Sequence, residues 1–126
     1  MTLTIKIEYK NDILFVKVLG EFTEDSAIST FDELLENAKE CRAKKALVDC
    51  RRDKVSNQDF MTTFFYSQEI AKRQIEKLTF LKLAYLFHPE DNPDLRLFGE
   101  TVAKNRGVNG KVFFDYDDSI NWLIEN

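Results

Sequence analysis

The chain is poor in the residues on which most chemistry-bearing motifs depend. It holds one histidine, two cysteines, four glycines and two prolines among 126 residues. A single histidine excludes a multi-histidine metal centre, and no Cys/His spacing suits zinc. The cysteines, Cys41 and Cys50, fall in a predicted helix and a predicted strand. A bond between them stays open, but nothing marks a secreted, disulfide-stapled scaffold, and reduced thiols in a cytoplasm are the simpler expectation. There is no Gly-x-Gly-x-x-Gly, Walker loop, Gly-x-Ser-x-Gly elbow or His-Glu-x-x-His, so no cofactor is implied. The net charge is −4, which disfavours nucleic acid and anionic membrane surfaces as partners, because both are held by basic patches. No apolar run is long enough to span a bilayer, and the N-terminus lacks the layout of a signal peptide.

What is present is a well-patterned globular chain. Hydrophobic residues make up 44% and eleven residues are Phe, which argues against disorder. Without an internal repeat, linker or low-complexity stretch, residues 1–126 are expected to form one domain. Leu3, Ile5, Ile7 and Tyr9 alternate with Thr4, Lys6 and Glu8, the period of a half-buried strand. Lys10-Asn11-Asp12 supplies turn residues, and Ile13 to Leu19 returns as a more central strand of an antiparallel hairpin.

From about Thr23 to Arg42, Ala27, Ile28, Phe31, Leu34, Leu35 and Ala38 recur at helical spacing. Ala46-Leu47-Val48 reads as a strand covered on both faces. Ser56 with Asp59 resembles a capping box opening a helix that runs to about Leu78. Phe80 to Phe87 is the next inner strand, ended by His88-Pro89. Pro93 opens a third helix whose stripe is Leu95, Phe98 and Val102, and Gly107 supplies its left-handed end. A strand, Lys111 to Tyr116, precedes a last helix capped by Asp117 or Asp118, with Ile120, Leu123 and Ile124 inward and Trp122 largely outward. The order β-β-α-β-α-β-α-β-α predicts an α/β fold: a mixed five-stranded sheet, an N-terminal antiparallel hairpin followed by parallel strands.

That order, with Val48-Asp49-Cys50-Arg51, Ala103-Lys-Asn-Arg-Gly107, Val112-Phe-Phe-Asp115 and Trp122-Leu123 at their places, resembles the SpoIIAA-like group. This group belongs to the STAS (sulfate transporter and anti-sigma-factor antagonist) superfamily and is described as STAS/SEC14-like. The resemblance spans about Ile13 to Leu123 and implies a small bacterial regulatory or interaction domain without enzymatic activity. Regulatory STAS domains carry a phosphorylated serine in an Asp-Ser-Ser-Gly-like segment. Ser56 falls at the corresponding place, but the Asp, the second Ser and the Gly are absent. The SEC14 side of the resemblance implies binding of an apolar ligand.

Three constellations invite a functional reading. Asp49, Arg51, Arg52, Lys54 and Ser56 end a strand and open a helix, where backbone N–H groups and cations can meet an anion; capping alone also accounts for Ser56. His88, past the end of the fourth strand, would share that rim and could serve as a base beside Asp49, although a histidine before proline is commonly a loop residue. Cys50 does not open a phosphatase loop, since Ser56 stands where the arginine would be; a buried strand cysteine is the simpler reading.

In the second helix Phe60, Phe64, Ala71, Ile75 and Leu78 form a core stripe at helical spacing. Tyr66 and Ile70 then face outward, Arg73 and Lys77 continue that side, and Phe65 lies on the flank. A helix apolar on both sides has a partner or covers a ligand, unless the outer pair is ordinary partial exposure. The leading expectation is a non-enzymatic domain that binds a protein, a second copy of itself included, through Phe65, Tyr66, Ile70, Arg73 and Lys77. The alternative is a carrier or sensor of a small amphipathic or anionic ligand, gripped by Arg51, Arg52 or Lys54 under a Phe-rich wall. An enzyme using His88 and Asp49 is the third.

Overall fold

A computed structural model of the chain describes residues 4–19, 24–51 and 60–125. Strands β1 (Thr4–Lys10) and β2 (Ile13–Leu19) pair antiparallel, Lys10 facing Ile13 and Thr4 facing Leu19. Asn11 and Asp12 join them with φ of 52° and 64°. A two-residue hairpin turn of this kind needs positive φ at both positions, and Asn and Asp are the side chains that accept it most readily.

The chain then alternates: α1 (Glu24–Cys41), β3 (Lys45–Asp49), α2 (Phe60–Glu76), β4 (Lys82–Leu86), α3 (Pro93–Lys104), β5 (Asn109–Phe113) and α4 (Tyr116–Ile124). The sheet order is β1-β2-β3-β4-β5, and every pair after the first is parallel. Right-handed crossovers that advance the sheet in one direction place all their helices on one face. Hence α1, α2 and α3 share one face, and α4 packs on the other against β3, β4 and β5.

Side-chain alternation divides the core accordingly. Leu14, Val16, Val18, Ala46, Val48 and Leu83 lie beneath the three crossover helices with Leu34, Leu35, Ile70 and Ala71. Ile13, Leu47, Ala84 and Leu86 face α4, where Leu123 is fully buried. Burying one such leucine stabilises by about 2 kcal/mol. The end of α4 is tied down by Lys82, whose Nζ donates to the carbonyls of Trp122 and Glu125. A cation there complements the negative end of the helix dipole.

The three crossover helices end alike. Ala43 N–H reaches the Ala38 carbonyl, Thr79 reaches Gln74 and Val108 reaches Ala103, with Arg42, Leu78 and Gly107 in the left-handed region between. This is the Schellman closure, which satisfies carbonyls the helix leaves open. Gly107 does so at φ 89°, Arg42 and Leu78 at 58° and 51° despite their Cβ atoms.

Two expectations change here. In α2 the buried residues are Ile70, Ala71 and Gln74, while Ile75 is 57% and Leu78 79% exposed. The inward arc is centred between Ser67 and Gln74, so Ile75 stands at its margin, about 90° from centre. Leu78 would fall on the arc, but α2 ends at Glu76 and Leu78 occupies the left-handed turn after it. The side chains of Phe60, Phe64 and Phe65 lie outside the description. In α4 the cap position is Asp115, not Asp117 or Asp118, and Ile124 is exposed. Trp122 is partly buried, its ring centroid 5.6 Å from that of Phe113 and 4.5 Å from Lys82 Nζ.

Candidate functional site

Two places collect polar or reactive side chains. The first is the rim at the carboxyl ends of the parallel strands, where β3 and β4 finish together, Asp49 facing Leu86. Arg51 closes back on Asp49: its backbone N–H, Nε and Nη2 all donate to the carboxylate, at 3.0, 3.1 and 3.0 Å. Its guanidinium also lies 5.7 Å from the Tyr116 ring centroid. The hydrogen bonds to Asp49 raise the Arg51 pKa, with burial acting the other way. Asp49 thus takes the Nε–Nη2 edge of the guanidinium in a bidentate pair.

His88 lies two residues beyond Leu86, and its Nδ1 accepts the Glu90 N–H at 3.0 Å. Among the described residues no hydrogen bond or ion pair joins His88 to Asp49 or Arg51. Arg52, Lys54 and Ser56, the remainder of the predicted anion site, lie outside the described residues, as does the predicted capping box. No disulfide joins Cys41 and Cys50. No cluster of metal-ligating side chains occurs among the described residues.

The predicted outer surface of α2 is largely an internal seam. Ile70 is buried in the core. Arg73 Nη1 donates to both carboxylate oxygens of Asp32 at 2.9 Å, and Lys77 Nζ donates to Glu36 at 2.8 Å. Burial opposes the Arg73 charge most strongly, but the Asp32 hydrogen bonds and the charges of Asp32, Glu69 and Glu76 together outweigh it and the pKa rises. These pairs clamp α2 to α1 along the edge that was expected to meet a partner. Tyr66, partly buried, turns toward the second place of interest.

That place is a cavity of about 110 Å³ between the sheet and the three crossover helices. Its floor is Val16, Val48, Tyr85 and Val112; α1 contributes Thr30, Phe31 and Leu34, and α2 contributes Tyr66, Ser67 and Ile70. The α3 wall is Arg96, Gly99, Glu100 and Ala103. Small residues explain the space: Gly99 and Ala103 bring α3 to the void without side chains that reach across it. Gly110 serves the same end on β5, where an added Cβ would stand 3.3 Å from the Tyr85 ring.

The polar groups around this cavity are few and mostly engaged. Arg96 Nη2 donates to Asp91 Oδ2 at 3.0 Å, with both side chains at most 6% exposed, and its guanidinium lies 4.0 Å from the Phe87 ring centroid. The pair is built by the start of α3: Asn92 accepts the Asp94 and Leu95 N–H groups as N-cap, and Asp91 accepts the Asn92 N–H. Glu100 Oε1 accepts the Val112 N–H at 2.7 Å. The Tyr85 hydroxyl makes no hydrogen bond to another described residue, and burial pushes its pKa upward.

Sequence reasoning missed Arg96, Asp91 and Tyr85. The available signal was Arg96 at helical spacing with Gly99 and Ala103, a charge on a stripe of small residues. An ion pair five residues apart across a helix start has no periodicity to reveal it.

No family model matches the chain, and no curated protein matches it. Among solved structures it is similar to an uncharacterized protein of the DUF3478 family from Shewanella loihica PV-4, described as having a SpoIIAA-like fold. The two share 22% identity over 96% of this chain and 93% of that one, with a TM-score of 0.56. The architecture is therefore SpoIIAA-like, as the order of elements implied. Among the described residues no helix is long and apolar enough to cross a membrane.

Proposed function

We propose that the chain is a non-enzymatic domain that binds a small, predominantly apolar ligand in the cavity beneath α2. The observation that carries this is the cavity itself: about 110 Å³ of space bordered by helices from three separate crossovers and walled mainly by aliphatic and aromatic carbon. Protein interiors are packed like organic crystals, and voids larger than a water molecule are few. An apolar cavity of roughly 150 Å³ stays dry and takes up benzene, so a ring of that size sets the scale here. Arg51 is paired with Asp49 along its Nε–Nη2 edge and does not line this cavity.

A methyl-resolved NMR titration with benzene tests the reading. Selective shifts of Val16, Val48, Ile70 and Val112 are expected, and Ala103→Leu should abolish them by filling the space. Absence of any shift at saturating benzene would sink the proposal.

Binding of a second copy of the chain is a second reading, favoured by one observation. Ile75, Leu78 and Phe80, exposed by 57%, 79% and 60%, crowd large apolar surface into the end of α2 and the approach to β4. Sedimentation velocity of wild type against Leu78→Ser/Phe80→Ser decides it: a concentration-dependent dimer lost in the variant supports it, and a wild-type monomer up to high micromolar concentration rejects it.

A further inference from the structure

The cavity's chemistry narrows the ligand further than its volume does. Among the described residues its walls carry two charged side chains: Arg96, paired with Asp91, and Glu100, whose Oε1 accepts the Val112 N–H. An anionic ligand could reach the guanidinium only by displacing Asp91 from a pair whose side chains are 6% and 4% exposed. Removing one member of such a buried pair leaves an uncompensated charge, which is strongly unfavourable. An ammonium ligand would give up its own hydration on entering a chamber lined mostly by apolar carbon. Charged ligands are disfavoured in both directions.

Four of the described lining residues carry hydroxyls: Thr30, Tyr66, Ser67 and Tyr85. Tyr85, on the floor, and Thr30, on the α1 wall, both line the cavity and make no side-chain hydrogen bond to another described residue. Neither hydroxyl is buried without a partner, so both stay accessible to a ligand that brings a hydrogen-bonding group.

Resting on the ligand-binding reading above, we infer that the ligand is an uncharged molecule with an apolar body about the size of a benzene ring and one hydroxyl or carbonyl group that hydrogen-bonds the Tyr85 hydroxyl. Tyr85 is suited to this, because burial raises its pKa and keeps the phenol protonated as a donor at physiological pH. Gly110 is part of the same device. It lets the Tyr85 ring lie against β5, where any larger residue would push the ring into the chamber.

Isothermal titration of the full chain at neutral pH with benzene, phenol and benzoate tests the inference. Phenol should bind roughly fivefold more tightly than benzene, the contribution of one hydrogen bond, and benzoate should bind more weakly than either. Tyr85→Phe should bring phenol to parity with benzene. Benzene binding with no preference for phenol would overturn the inference while leaving the ligand-binding reading intact, and so would a phenol preference that survives Tyr85→Phe. Benzoate binding as tightly as phenol would also overturn it. If none of the three binds, the cavity reading itself fails and takes the inference with it. Should Tyr85→Phe not fold, the wild-type ranking decides, with phenol required to exceed both other probes.

Discussion

The Glu100 carboxylate, carried on α3, accepts the backbone N–H of Val112 at 2.7 Å. β5 is the edge of the sheet, paired only with β4, so the outward amides of this strand have no ladder partner. Glu100 supplies one from the helix above, which closes part of the edge and fixes the wall of the cavity at the same point. Covering unpaired edge groups is how sheets avoid recruiting another strand.

Glu100→Ala should therefore destabilise the protein by about 1–2 kcal/mol, the penalty for stranding one backbone donor. Glu100→Gln keeps an acceptor and should lose less than half as much. Urea denaturation of the two variants checks this, and equal losses would show that the side chain acts through something other than its hydrogen bond.

The Asp91–Arg96 pair is buried at the start of α3. Asp91→Ala should cost about 3–4 kcal/mol by leaving the guanidinium uncompensated, whereas Asp91→Ala combined with Arg96→Met should recover much of that loss. A double-mutant cycle by thermal or chemical denaturation measures the coupling. Additive losses would mean that the two side chains act independently.

Leu78 holds a left-handed backbone conformation with an exposed apolar side chain. Leu78→Gly should stabilise by roughly 0.5–1 kcal/mol, since glycine adopts that conformation without the Cβ penalty. Gly107→Ala, at the equivalent position after α3, should destabilise by about 1 kcal/mol for the same reason. Opposite signs for the two substitutions in a denaturation series are the expected result.

The Glu36 pKa is lowered from its ordinary 4.5, chiefly by the hydrogen bond from Lys77 and then by its charge. A carboxylate whose folded pKa lies below its unfolded one contributes stability that is present above the unfolded value. That contribution is lost as pH falls through the folded value. An NMR titration should show the Glu36 carboxyl protonating below pH 4.5 in the wild type and moving up toward it in Lys77→Ala. An unchanged midpoint in the variant would disconnect the two groups.

Much of the architecture was legible in the chain because local patterns report local geometry. Asn11-Asp12 allowed a turn with two positive φ angles, Gly107 marked a helix end, and Ala46-Leu47-Val48 announced a strand buried on both faces. The face of α2 was not legible, for a local reason and a distant one. Leu78 looked like the next member of a stripe, but the helix stops before it. Gln74, a polar residue of the same helix, is buried and its Nε2 donates to the Gly107 carbonyl at 3.1 Å. A buried polar residue is recognisable only once its partner is known.

The amino-acid order alone determined that this chain makes a hairpin followed by three helix-linked parallel strands, and the uniform hand of those crossovers then placed three helices together. Alternation and helical spacing are properties of neighbouring residues, so they survive without knowledge of the fold. The cavity, the sealed Arg96 and the unoccupied hydroxyl of Tyr85 were decided by tertiary structure alone. Volume left over where five or more elements meet is the difference between large sums contributed by residues remote in sequence, and no local pattern carries that difference.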